Sequence, residues 1–306
     1  GIDKKATESD IKNQPLQQSL TEDQVGILQQ AGDNPDLMTA SSARPEVYSE
    51  NKILYRKETI NGIEVFVFSN NPDDTLFQVR FTEVGQGRGN YRIADAGTIA
   101  RIFEYVPPIN GLPQGQFEPI IPLEAPVSLQ IAGVMGRYKP STKTNIDFEV
   151  STSAHDKNTF STIDDENNTG LAAAFTIAQQ LLSTKDSTQI QFIGNFDFIG
   201  EQFNPIERIY NIEFARDWNL AQPEGDQTLL TGTWAFTNPK FGFVNYRFKR
   251  LQFAETYTGN AHQINGSLRI KKAHLQSTLS SLTSKGSLQN TAFLRTQHKL
   301  RVPLKK

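Results

Sequence analysis

With 306 residues, the chain is long enough for two domains or one large β domain, and core size is no obstacle to folding. It has no cysteine and four histidines, which excludes a disulfide framework, a Cys-ligated zinc or iron–sulfur site and a cysteine nucleophile. Hydrophobic residues make up 37%, and no run approaches the ~18 apolar residues of a membrane-spanning helix. The net charge of −2 hides an asymmetry: residues 245–306 hold twelve Lys and Arg against the single acid Glu255, while the remainder is strongly acidic. This polarity points to an anionic partner or to pairing between basic and acidic stretches of the chain, and the second is the simpler expectation.

Residues 1–19 are polar and read as a linker. A short helix follows. Thr21 and Gln24 form an S/T-x-x-E/Q capping box, and Glu22 and Asp23 sit at the positive end of the dipole. Val25, Leu28 and Ala31 make one apolar stripe that Gly32 ends, so 1–47 is expected to be a polar lead-in carrying one helix. Residues 48–104 switch to a period of two. Ile53–Ile60, the turn Asn61-Gly62 and Ile63–Phe68 spell a type I′ hairpin, and Leu76–Phe81 is expected to extend it into a meander. The stretch Gly85–Tyr91 is rich in glycine but lacks the Gly-Lys-Ser/Thr ending of a phosphate loop, so it reads as a bulge or a close backbone approach. Six prolines in 105–126 exclude central strands there and predict an extended connection between two β units.

The main antiparallel β unit is expected over 127–306 and to continue past Lys306. Ile146, Phe148 and Val150 alternate with Asp147 and Glu149; Phe192, Phe196 and Phe198 with Asn195 and Asp197; Val244, Tyr246 and Phe248 with Arg247 and Lys249. Ala172–Leu182 has helix-favouring residues, but strand neighbours tip it to strand. The fold expected is all-β, with long antiparallel strands in a meander, sandwich or curved sheet, plus the one short helix. Such strands also suit a transmembrane barrel. Two Trp and eight Tyr are few for its aromatic girdles, and Arg250 directly continues one apolar set, so a soluble sheet is the first expectation and a portion of a barrel a later one.

Candidate sites are sparse. Asp156, Asn158, Asp164 and Asp165 offer oxygen ligands for calcium, although their spacing misses the EF-hand pattern and a solvated hairpin explains them as well. Glu213 and Asp217, read on a strand, would lie ~13 Å apart, too far for a glycosidase carboxylate pair. The histidines form no triad pattern. Arg247, Lys249, Arg250, Arg269, Lys271 and Lys272 are the candidates for an anionic lipid, polysaccharide or envelope-protein contact. Alternation sets Tyr246 and Phe248 on the face opposite Arg247 and Lys249, which separates stacking from charge and argues against nucleic acid. It predicts an apolar core beneath a basic outer face.

The segments 48–68, 84–91, Pro107–Gly115 and Glu207–Leu220 resemble stretches of long, β-rich cell-envelope proteins of Bacteroidota whose function is not established. The resemblance implies an exported protein, periplasmic or associated with the outer membrane, of which this is an internal portion. The function expected is non-catalytic structural or interaction work in a bacterial envelope. Its alternatives are a glycan-binding or carbohydrate-active domain, with Trp218 and Trp234 as sugar platforms, and a portion of an outer-membrane barrel. No cofactor is expected apart from calcium, and the sequence leaves a small-molecule substrate open.

Overall fold

The computed structural model describes residues 20–94, 101–221 and 223–303, so the polar stretch 1–19 lies outside the described residues. The described residues divide into two units, one built from the stretch 20–127 with 157–165, the other from 128–156 and 166–303. Elements run in chain order.

The first unit opens with helix α1 (Glu22–Ala31), whose capping box forms as expected: the Thr21 hydroxyl accepts from Gln24 N and the Gln24 side chain accepts from Thr21 N. Ten short strands follow: β1 (Thr39–Ser41), β2 (Arg44–Pro45), β3 (Tyr55–Ile60), β4 (Ile63–Phe68), β5 (Leu76–Gln78), β6 (Thr82–Glu83), β7 (Tyr91–Ile93), β8 (Phe103–Tyr105), β9 (Phe117–Glu118) and β10 (Ile120–Pro122). The β3–β4 hairpin turns at Asn61 and Gly62, both with positive φ, as its type I′ geometry requires. The meander does not continue. β5 pairs with β3, giving the order β2-β5-β3-β4, because Phe77 opposite Tyr55 then joins the aromatic core.

Nor is 105–126 a bare connection. Phe117 pairs in β9 with β6 and β7, and β10 pairs with β1, so the proline-rich stretch supplies strands to the first unit, whose main stretch runs to Val127. β9 holds no proline although it lies between β6 and β7, and Pro122 sits at the end of β10, in a two-stranded sheet where a missing N–H costs least. Gly89 and Gly115 bridge each other, and a Cβ on Gly89 would lie 2.5 Å from Phe117 O, so the glycine-rich stretch is a close backbone approach. Tyr55, Phe66, Tyr91 and Phe117 fill the core, with the Tyr91 hydroxyl accepting from Phe66 N (2.8 Å) and that of Tyr55 from Phe103 N (3.0 Å). Burial pushes the Tyr91 hydroxyl up to about 12.

The second unit is a nine-stranded antiparallel meander: β11 (Ser128–Ser141), β12 (Thr144–Asp156), β13 (Thr169–Ser183), β14 (Gln189–Ile199), β15 (Gln227–Asn238), β16 (Gly242–Phe253), β17 (Tyr257–Ile270), β18 (Ala273–Gly286) and β19 (Asn290–Arg301). Each strand pairs with its sequence neighbours, and β11 and β19 form the two edges. The alanine-rich stretch 172–182 is strand, since its alternate residues pair on both sides with β12 and β14. Before β15 the chain makes a short helix, α2 (Phe214–Trp218), where the alternation of 210–216 read as strand. Glu213 precedes it and forms an ion pair with Arg216 at 2.7 Å, one helical turn away, so the Glu213–Asp217 pair is not spaced along a strand.

Candidate functional site

In an antiparallel ladder, directly opposed residues share a face, so the register sorts every side chain of the large sheet. One row runs Phe148, Phe175, Phe196, Leu230, Arg250, Asn260, Thr283, Ala292 across β12 to β19. The same face carries Val150, Ile146, Ile177, Phe192, Trp234, Tyr246, Phe248, Ile264, Leu268, Leu275 and Leu279. The opposite face carries Asp147, Thr176, Asn195, Thr231 and Lys249 in one row, and Thr233, Arg247, Gln263, Ser280 and Arg295 in the next. Sequence alternation separated these two sets as expected.

Which face is covered is the reverse of the expectation. The apolar face is open: Phe148, Phe175, Phe196 and Trp234 are 40–44% exposed, and Leu294 and Leu300 on β19 about two thirds. Soluble monomers rarely show apolar patches beyond ~300–600 Å², and this one extends over all nine strands, from Val134 and Tyr138 on β11 to Leu300 on β19. The unit itself holds no second sheet among the described residues, so it is not a sandwich. The packed side is the polar one. There the connection 200–226 folds back, placing Trp218 among Leu229, Leu251, Phe253, Tyr257 and Leu282. Tyr257 donates its hydroxyl hydrogen to Trp218 O (2.6 Å), and Gly259 leaves room for the indole, since a Cβ there would stand 3.0 Å from the ring.

The apolar set also has a direction. On β12 it centres on Phe148. The row through Phe148 reaches β18 at Thr283, but the apolar residues of β18 are Leu275 and Leu279, centred on Ser277. That is a drift of six residues over six strand steps, one per step. With a rise of ~3.3 Å per residue and strands ~4.8 Å apart, the band runs at about 35° to the hydrogen-bonded rows. Strands tilted by that angle would hold the band level. Measured along β14 from Ile190 to Phe198 and corrected for this tilt, the band is roughly 22 Å tall. Arg250 shares a row with Phe148, yet on β16 the band has moved to Val244–Phe248, so its charge falls outside the edge.

The remaining candidates fall as follows. Of the six basic residues, Arg247, Lys249 and Arg269 lie on the polar face, Arg250 on the apolar face, and Lys271 and Lys272 form the β17–β18 turn, so they do not make one patch. Lys249 lines a cleft of about 190 Å³ under α2 with Asp217, Gln263 and Arg295. Trp218 is 4% exposed and unsuited as a sugar platform; Trp234 is 42% exposed but stacks on Tyr246 at 5.6 Å within the apolar band. The calcium candidates are placed as follows. Asn158 spends its amide on α1, donating to Leu28 O and Gly32 O at 2.7 Å each, and no group of three His, Asp or Glu gathers among the described residues. Asp156 ends β12, while Asp164 and Asp165 follow in the segment assigned to the first unit.

Sequence reading missed the return of Trp218 and its flanking segment onto the polar face and the drift of the band. The second was present in the spacing of apolar residues along each strand, but only the register converts it into an angle. No described helix is long and apolar enough to cross a membrane, a statement that does not bear on strands. The chain matches no known protein family, no characterised protein and no solved structure.

Proposed function

We propose that the nine-stranded sheet is part of the wall of a transmembrane β-barrel in a bacterial outer membrane, with its apolar face toward lipid and its polar face toward a water-filled interior. The observation that carries this reading is the exposed apolar band drifting one residue per strand. Barrel strands tilt by ~35–45° around an apolar band ~25 Å tall, and both figures agree with the register. Support comes from the strands, each 11–15 residues long, against the ~9–11 needed to cross a bilayer. The connections add to it: four at one end are short, whereas 200–226 at the other is long and turns onto the polar face. In lipid the outward backbone groups of β11 and β19 need partner strands, so the wall is proposed to contain more than these nine. The role is structural, without catalysis, and the envelope resemblance fits it.

The two tryptophans provide the test. Trp234 lies in the band and Trp218 on the other face. After incorporation into vesicles containing brominated phosphatidylcholine, a Trp218→Phe protein, reporting on Trp234, is expected to lose most of its fluorescence. A Trp234→Phe protein, reporting on Trp218, is expected to keep it. A chain that stays monodisperse without detergent, ignores vesicles and shows no quenching of Trp234 would sink the proposal. A Trp234 signal that responds instead to soluble glycans would favour the carbohydrate alternative.

A further inference from the structure

The two ends of the large sheet differ in charge as well as in length of connection. At one end the turns are Thr142–Lys143, Thr184–Thr188, Pro239–Phe241 and Lys271–Lys272. Every one carries lysine: Lys143, Lys185, Lys240, Lys271 and Lys272, all exposed and none in a salt bridge with another described residue. The one acid there, Asp186, is bonded by the Thr184 and Thr188 hydroxyls, which hold its carboxyl below the usual range. At the opposite end the connection 200–226 bears Glu201, Glu207, Glu213, Asp217, Glu224 and Asp226 against Arg208 and Arg216, and the β16–β17 turn bears Glu255. A sheet whose two rims carry opposite charge has two distinguishable surroundings.

Resting on the barrel-wall reading, we infer that the lysine-bearing turns seat this rim in anionic phospholipid headgroups and so fix which end of the sheet faces the phospholipid leaflet. The depth is right. Lys143 stands three residues from Ile146, Lys272 three from Leu275, Lys240 four from Phe236 and Lys271 next to Ile270, which shares the apolar face. At ~3.3 Å per residue and a ~35° tilt, the backbone at these lysines lies roughly 3–11 Å beyond the apolar edge, a span that brackets the headgroup layer of ~5–7.5 Å on each side of the hydrocarbon. The flexible lysine stems can bend toward that plane while their ends stay hydrated. Spread over four successive turns, the charges suit a surface of many phosphates rather than one bound ion. Basic segments near a membrane surface gain attraction additively from anionic lipid.

The experiment compares partition of the full chain between vesicles of phosphatidylcholine alone and of phosphatidylcholine with 30 mol % phosphatidylglycerol, at low salt. About tenfold stronger partition into the anionic vesicles is expected. The variant Lys143→Gln, Lys185→Gln, Lys240→Gln, Lys271→Gln, Lys272→Gln should retain its β circular dichroism and its binding to neutral vesicles but lose that preference. Equal partition of the unaltered chain into both vesicles would overturn the inference while leaving the barrel wall intact. Failure to enter either vesicle would overturn the barrel wall itself. Inorganic phosphate at matched ionic strength should leave the preference unchanged, and its abolition would reassign the lysines to a free anion.

Discussion

The two units treat the same residue alternation in opposite ways. In the first, short strands bring Tyr55 and Tyr91 to 2% and 3% exposure around a common aromatic core. In the second, longer and more regular strands leave Phe148 and Trp234 above 40% exposed and pack the polar face instead. Strand pattern alone therefore does not say where the core is. Two-residue alternation gives a sheet two unlike faces, and whatever lies against each face decides which is buried. A water-filled interior and a lipid exterior invert the arrangement of a soluble sheet without changing the alternation.

Substitutions can break this comparison. The largest effect is expected in the first unit, where Phe117→Ala should cost about 3–5 kcal/mol in denaturant unfolding, because the ring stacks edge-on against Phe103 at 4.9 Å in a closed core. On the large sheet, Phe175→Arg should destabilise the lipid-inserted protein by about 2–4 kcal/mol, while Thr176→Arg, one residue along and on the polar face, should cost within about 0.5 kcal/mol. Urea titration in vesicles measures both. If Phe175→Arg is neutral and makes the chain more soluble in plain buffer, the two units do not differ in the way described.

Smaller effects sharpen the account of the first unit. Asn158→Ala removes two hydrogen bonds from the carbonyl end of α1 and should lower stability by about 1–3 kcal/mol, with amide exchange accelerated first in that helix. The smallest concerns Glu118. Burial raises its carboxyl above the ordinary value, and hydrogen bonds from Asn90 N and Nδ2 pull the other way. A raised folded-state value means the stabilising contribution is present below the unfolded value and is lost as pH rises through the folded one. Relative to Glu118→Gln, the unaltered chain should therefore gain stability as pH falls from 7 toward 4.5. A difference in urea midpoint independent of pH would refute that.

Much of the local structure was legible in the chain. The Thr21–Gln24 box, the Asn61-Gly62 turn and the alternation of Ile146–Val150 each rest on a few adjacent residues, and each is where the sequence places it. What failed depended on distant partners. β5 joins β3 rather than β4, 117–122 contributes strands, and the run before Trp218 ends in a helical turn, because contacts remote in sequence outweigh local pattern. The six basic candidates cluster in sequence, yet alternation and a turn send them in three directions.

By itself, the sequence determined that this is an antiparallel β protein with one capped helix, long strands and two chemically distinct sheet faces. Those properties follow from side-chain periods and turn chemistry, which act within a few residues. Only the tertiary structure decided which face stays open, that 200–226 covers the polar one, that Trp218 is buried and Trp234 is not, and that the apolar band slants by a residue per strand. Each of these depends on register between strands or on a segment returning from afar, and pairing over such separations is set by the assembled sheet.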